Sequence, residues 1–396
     1  MKRLSIMIKP ASSLCDMRCA YCFYYDVAAS RHTASMGIMK QATAAALIQN
    51  VYSGLQPGDH ITFAFQGGEP GLAGLGFFEF FTQAAKEAAP RGVKTMYAFQ
   101  TNGLMVDRSW CEFFVKHNFL VGLSLDGDAA LHNQNRADAQ GRSTFSRVME
   151  AKRLMDKHKV EYNILCVLTS ESARRARRIW NFIVKEGIRH IQFIPCLEPL
   201  ETDAPDTASQ ARSRERDNIP TPAPEVLAQD NSHISSNAAL TGKRFAQFYS
   251  DLFPLWKAEA EKGNIIHVRQ FEDIAGIYLA GQGLTCGMSG RCSPQIVVEA
   301  DGSVYPCDFY VLDQYRVANL AVSPLEEVFN AVVKSGFLAS GPTANGACAA
   351  CAYSNWCQGG CKRMARAVYG SGCGMKSFLD KHLRDLLTVA RKLMRA

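Results

Sequence analysis

The strongest constraint on the fold is an alternation that runs through the first half of the chain. Residues 4–9, 61–65, 94–99, 120–125, 162–169 and 190–194 are short, apolar or β-branched, and read as strands. Residues 40–52, 75–89, 108–116, 143–156 and 172–185 carry helical patterns and lie between them. Strands separated by helices cross over and lie parallel, so this is an α/β chain. The six strands and five intervening helices fit a partial βα barrel of the TIM-like kind. An open doubly wound sheet has the same local signature. In barrels of this kind, sites collect at the C-terminal ends of the strands.

The pattern then changes twice. Residues 201–236 are rich in Pro, Ser, Asn and Gln without a stable period, which reads as a surface excursion. Residues 243–262 read as a helix, 265–269 as a strand and 271–279 as a helix. After Gly281 the chain is dense in Cys and Gly, with small strands at 295–299 and 303–305. The expected division is 1–235 for the barrel with its excursion, 236–282 for a bridge, and 283–396 for a second domain. That last part reads as organised by metal more than by a broad apolar core.

The 14 cysteines are the abnormal feature of an otherwise ordinary globular composition. The basic start, Met1 to Pro10, is too short and interrupted for a secretory signal, and no apolar run could span a bilayer. The expectations are a cytoplasmic location, no membrane and no disulfide framework. Metal or cluster ligation is then the reading for the thiols. The formal charge of +7 counts every cysteine as neutral. A four-thiolate [4Fe–4S] group carries about −2 and a three-thiolate one about −1, so two of the former and one of the latter would leave about +2. No Lys/Arg tract is long enough to demand nucleic acid, so none is expected as a partner.

Cys15, Cys19 and Cys22 form a C-x3-C-x2-C loop just after the first strand. Three thiolates on a four-iron cube leave one iron open to bind a small molecule. Zinc held with His32 is the alternative reading. Tyr21, Phe23 and Tyr24 around the triplet favour a cluster. Gln66-Gly67-Gly68-Glu69-Pro70 follows the second strand; its glycines allow close backbone approach to a ligand, and Glu69 can accept from an amine. Thr101, Asn102, Ser124 and Asp126 sit at the rim; for Ser124 and Asp126, ribose or carboxylate contacts and turn stabilisation are both open readings. His132 to Arg136 reads as a polar loop that could bring Arg136 to a carboxylate. Cys111, Cys166 and Cys196 have no partners at ligand spacing and read as buried thiols. Eight cysteines follow residue 285: Cys286, Cys292, Cys307, Cys348, Cys351, Cys357, Cys361 and Cys373. Eight is two complete sets of four; paired zinc sites stay open on spacing alone.

The triplet with Phe23 directly behind it resembles the radical S-adenosylmethionine superfamily. The later cysteines resemble its SPASM iron–sulfur extension. Residues 8–13, 22–24, 65–70, 163–167 and 307–310 together resemble the anaerobic sulfatase-maturating enzymes within it. The resemblance implies three [4Fe–4S] clusters and S-adenosylmethionine. Cys15, Cys19 and Cys22 would hold the reactive cluster. Cys286, Cys292, Cys307 and Cys361 would hold one auxiliary cluster, and Cys348, Cys351, Cys357 and Cys373 the other. Gly67, Gly68 and Glu69 would meet the methionyl amine, with Ser124, Asp126 and Arg136 as further cofactor contacts. Asp308 would be the base, Tyr24 would shape the radical pocket, and Gln66 would be a polar contact on the substrate or cofactor side. The implied reaction oxidises a Cys or Ser of a sulfatase peptide or unfolded sulfatase to Cα-formylglycine. A flavodoxin or ferredoxin-type protein would supply electrons. The alternative is a SPASM maturase making a thioether or carbon–carbon crosslink in a small precursor.

Overall fold

The structure is a computed structural model that describes residues 1–200, 238–281, 283, 285–288, 290–339, 346–370 and 372–394. The excursion expected over 201–236 lies outside the described residues.

All six expected strands are present, as β1 (Arg3–Ile8), β3 (His60–Phe65), β4 (Lys94–Thr101), β5 (Phe119–Ser124), β7 (Tyr162–Leu168) and β8 (His190–Pro195). They pair in parallel and in chain order. A doubly wound sheet reverses its order at a switch point, and this one winds a single way, so the barrel reading holds. β9 (His267–Val268) extends the sheet beside β8, and β10 (Ile296–Val298) lies parallel to β1 on the other side. β11 (Ser303–Tyr305) and β12 (Ala318–Asn319) continue it antiparallel. The order β12-β11-β10-β1-β3-β4-β5-β7-β8-β9 leaves its two ends unpaired among the described residues, which makes the barrel partial.

Strand residues alternate between two faces. On the outer face Phe63, Phe65, Phe99 and Phe119 are buried against Phe78 and Phe81 of helix Leu75–Ala88 and Phe114 of helix Arg108–Lys116. The rings meet edge-on, as at Phe65–Phe78 with centroids 5.0 Å apart. The inner face stays open: Met96 is 38% exposed and Leu120 51%. A barrel closed on all sides would fill that space with side chains.

The part after Gly281 differs from expectation. It carries helices Leu325–Lys334 and Gly374–Leu393. The second buries Phe378, Leu379, Leu386 and Val389, and it packs on helix Gly242–Glu261. Those residues belong to the same apolar cluster as the barrel. The C-terminal region therefore shares the barrel's core as well as carrying the cysteines. Among the described residues no helix is long and apolar enough to cross a membrane.

Candidate active site

The cysteine loop is fastened on two sides. β2 (Met17–Cys19) pairs antiparallel with β6 (Arg136–Asp138), which sets Cys19 opposite Arg136. On the other side it lies against the glycines after β3. A Cβ on Gly68 would stand 2.1 Å from the Leu14 carbonyl oxygen, and one on Gly67 2.8 Å from that of Ser12. The Gly68 and Glu69 amides donate to the Ser12 and Leu14 carbonyls at 2.9 and 2.8 Å. The cysteine loop thus fills the space that side chains at these glycines would need.

Burial raises the Cys15 and Cys22 thiols and pushes Cys19 up to about 12. Arg136 opposes the shift at Cys19, with Nη1 3.9 Å from its Sγ; Asn102 Nδ2 is 3.8 Å from Cys15 Sγ. Buried thiols of this kind are poor nucleophiles, but they become thiolates when a metal's positive charge replaces the lost solvation. Three such thiols on one loop fit a cluster with an open iron.

Glu69 is fully buried. It accepts from the amides of Gly71 (3.0 Å) and Asn102 (2.7 Å) and from Thr101 Oγ1 (3.1 Å). Burial still pushes it up to about 7, against those hydrogen bonds and with Asp16 adding repulsion. Ser124 is buried at the end of β5. Asp126 is satisfied by the chain itself: Arg136 Nε and Nη2 donate at 2.9 and 3.2 Å, the Val167 amide at 2.9 Å, and the Tyr21 hydroxyl to Oδ2. The carboxylate that Arg136 meets is therefore Asp126, and the pair braces Cys19. The stretch from His132 is not a solvated loop. It is the end of helix Ala129–Asn135, begun by the Asp128 side chain accepting from the Ala130 and Leu131 amides. His132 is buried against Thr144 Oγ1 at 3.0 Å, and burial lowers its pKa to about 4.

A second cluster of groups forms where β10, β1 and β3 end in register, Ile8 pairing with both Val298 and Phe65. The next residues are Lys9, Gln66 and Glu299. The turn Asp308–Tyr310, after β11, brings a carboxylate to them. Asp308 Oδ2 accepts from Tyr24 Oη at 2.6 Å and Gln66 Nε2 at 3.1 Å. Among the described residues its Oδ1 has no hydrogen bond of ordinary length; Lys9 Nζ pairs with it at 3.7 Å. Lys9 also lies 3.8 Å from Glu299, which Arg31 Nη1 meets at 2.7 Å. Burial raises Asp308, and Lys9 and Tyr24 oppose it. Lys9, Arg31 and Glu299 were given no role from the sequence, and Tyr21 was marked there only as an aromatic neighbour of the triplet. The usable signal was position: Lys9 and Glu299 each stand one residue past a strand end.

The later cysteines divide by their mutual repulsion. Cys361 is raised by burial and by Cys286 and Cys292, and Cys307 by burial, Asp308, Cys361 and Cys286. Cys357 is raised by burial and by Cys373, Cys351 and Cys348. Cys361 thus faces the first set although it follows Cys357 closely in the chain. Tyr369 is buried between the sets, touched electrostatically by Cys357, Cys361 and Cys373. Cys111, Cys166 and Cys196 are buried, as expected.

Residues 10–183 match the radical SAM superfamily, and residues 286–352 match the iron–sulfur cluster-binding domain known as SPASM. With the partial barrel and the three-thiol loop at its rim, this makes the chain a radical S-adenosylmethionine enzyme with a second iron–sulfur domain. A cysteine-type anaerobic sulfatase-maturating enzyme of Clostridium novyi (strain NT) is 36% identical over 400 residues, covering 99% of each chain. One of Clostridium perfringens (strain ATCC 13124) is 37% identical over 400 residues, covering 99% of this chain and 100% of the relative. The solved structure of native anSMEcpe with bound AdoMet and Cp18Cys peptide superposes with a TM-score of 0.81 at 34% identity, covering 99% of each chain. At that identity over that length, the chain belongs to the anaerobic sulfatase-maturating enzymes.

Proposed function

We propose that this enzyme oxidises a cysteine or serine side chain of a sulfatase peptide to Cα-formylglycine, with Asp308 as the base. The observation that carries the assignment is the unequal use of the Asp308 oxygens. Tyr24 and Gln66 hold Oδ2, while among the described residues Oδ1 is buried without a hydrogen bond of ordinary length. A buried acceptor left unpaired is costly unless something fills it, and a substrate thiol or hydroxyl proton would. Raised by burial, the carboxylate is a stronger base than a solvated one. Tyr24 and Gln66 fix its orientation, and Lys9 steadies its charge before the proton arrives.

S-adenosylmethionine and a reduced cluster on Cys15, Cys19 and Cys22 would supply a 5'-deoxyadenosyl radical. Glu69 would hold the methionyl amine, and Arg136 would keep Cys19 in place through Asp126. Ser124 is a further candidate contact for the cofactor. The two later sets would hold one four-iron group each. The proposed division of the chain is 1–235, 236–282 and 283–396. Electrons would come from a flavodoxin or ferredoxin-type protein. A cytoplasmic location is proposed because cluster thiols need a reducing compartment.

The test is anaerobic incubation of the reconstituted enzyme with a peptide containing Cys-x-Pro-x-Arg, followed by mass spectrometry. The expected product has lost two hydrogens and then exchanged sulfur for oxygen. About twelve iron per chain is expected from three cubes. Deoxyadenosine formed with no peptide aldehyde would reject the assignment in favour of a crosslinking activity.

A further inference from the structure

Lys362 has no part in the mechanism above, yet it follows Cys361 directly. Its ammonium lies 3.4 Å from the centroid of the Phe337 ring and 5.1 Å from that of Tyr310. The Phe337 carbonyl accepts from it at 3.4 Å. The Tyr310 amide in turn donates to the Cys307 carbonyl at 3.1 Å. The ammonium is therefore seated on two ring faces that attract cations, beside two cysteines of one set. Beside the other set, Lys376 is exposed and pairs with Asp380 at 2.5 Å.

We propose that Lys362 raises the reduction potential of the iron–sulfur group held by Cys286, Cys292, Cys307 and Cys361, making it the acceptor of the second electron in each turnover. The proposal rests on the function given above. After hydrogen abstraction at Cβ, the carbon-centred radical of the substrate cysteine gives its thiol proton to Asp308 and one electron to that group. The carbon–sulfur bond becomes double as the S–H bond breaks, and the core goes from [4Fe–4S]2+ to [4Fe–4S]1+. A fixed positive charge nearby stabilises the more negative, reduced core. Asp308, adjacent to Cys307, then stands as proton acceptor beside the electron acceptor.

The experiment is an EPR-monitored redox titration of the reconstituted holoenzyme, with Lys362→Met, Lys362→Gln and Lys362→Arg alongside. A Cys15→Ala/Cys19→Ala/Cys22→Ala chain serves to assign the two C-terminal signals. Lys362→Met is expected to lower the midpoint of one C-terminal signal and leave the other in place. Lys362→Arg should restore it. Formylglycine made per deoxyadenosine should fall several-fold in Lys362→Met and recover in Lys362→Arg. An unmoved midpoint in Lys362→Met with full iron content overturns the proposal. If Lys362→Met and Lys362→Gln both lose the cluster while Lys362→Arg keeps it, the lysine is a structural prop and the proposal also fails. Absence of both C-terminal signals from the unmutated enzyme would instead overturn the underlying cluster assignment.

Discussion

Cys15, Cys19 and Cys22 share their pocket with polar and charged groups, whereas the cysteines after residue 285 stand among aromatic rings and lysines. Asn102, Arg136, Asp126 and Glu69 surround the first loop. Tyr310, Phe337, Lys362 and Tyr369 border the second region. The difference teaches what each place is for. A loop that offers three thiols and a buried acid can grip a polar ligand at an open metal corner. Sets of four thiols, if they hold clusters as proposed, would store charge but leave no ligand position free.

The contrast breaks if the two regions cannot be disabled separately. Gly68→Ala would push a methyl to within 2.1 Å of the Leu14 carbonyl oxygen, so the cysteine loop must move. Deoxyadenosine formation should drop below detection while the C-terminal iron stays, a loss of about four of twelve iron. Gly360→Ala would place its methyl 1.9 Å from the Tyr369 ring, and should cost C-terminal iron while S-adenosylmethionine is still cleaved. Iron analysis and a deoxyadenosine assay on both variants check this pair; the same losses in each would dissolve the distinction.

Asp308 stands where the two regions meet. Asp308→Asn should slow peptide oxidation by about 10²- to 10⁴-fold and leave all clusters and cofactor cleavage in place. Unchanged turnover in a single-turnover assay would remove it as the base.

A smaller effect comes from Glu69. A cationic amine binds the ionised acid, and burial holds ionisation up to about 7. S-adenosylmethionine affinity should therefore rise several-fold as pH climbs through that value, with a flat profile in Glu69→Gln. Calorimetric titrations at pH 6 and 7.5 read it directly.

The smallest effect expected is on stability. His132 is held neutral, with a folded pKa of about 4 against an ordinary 6.5. The unfolded chain takes up the proton first, so stability is lost as pH falls from 6.5 towards 4, by at most about 3 kcal/mol. Thermal melts between pH 7 and 5 should show it, and His132→Asn should flatten the slope. A slope unaltered by that substitution would place the acid sensitivity elsewhere.

Local patterns were legible in the sequence. The six barrel strands and helix Arg108–Lys116 were marked out by periodicity, and the candidate ligand cysteines by spacing. Helix Gly374–Leu393 was also written there, since Met375, Phe378, Leu379, Leu386 and Val389 recur at helical spacing; the density of cysteines before it hid the signal. The Asp126–Arg136 pair was not legible, because Asp126 as a satisfied carboxylate and as a ligand contact look alike in a string of letters. The same holds for Gly67 and Gly68, whose neighbour proved to be the chain itself.

By itself the sequence determined how many thiols there are, how they are spaced and how the strands alternate, because ligand loops and strand periods are local properties. Only the tertiary structure decided which groups share a pocket. Tyr24 meets Asp308 across 284 residues, and Arg31 meets Glu299 across 268. Such partners are chosen by strand register, which no run of neighbouring residues encodes.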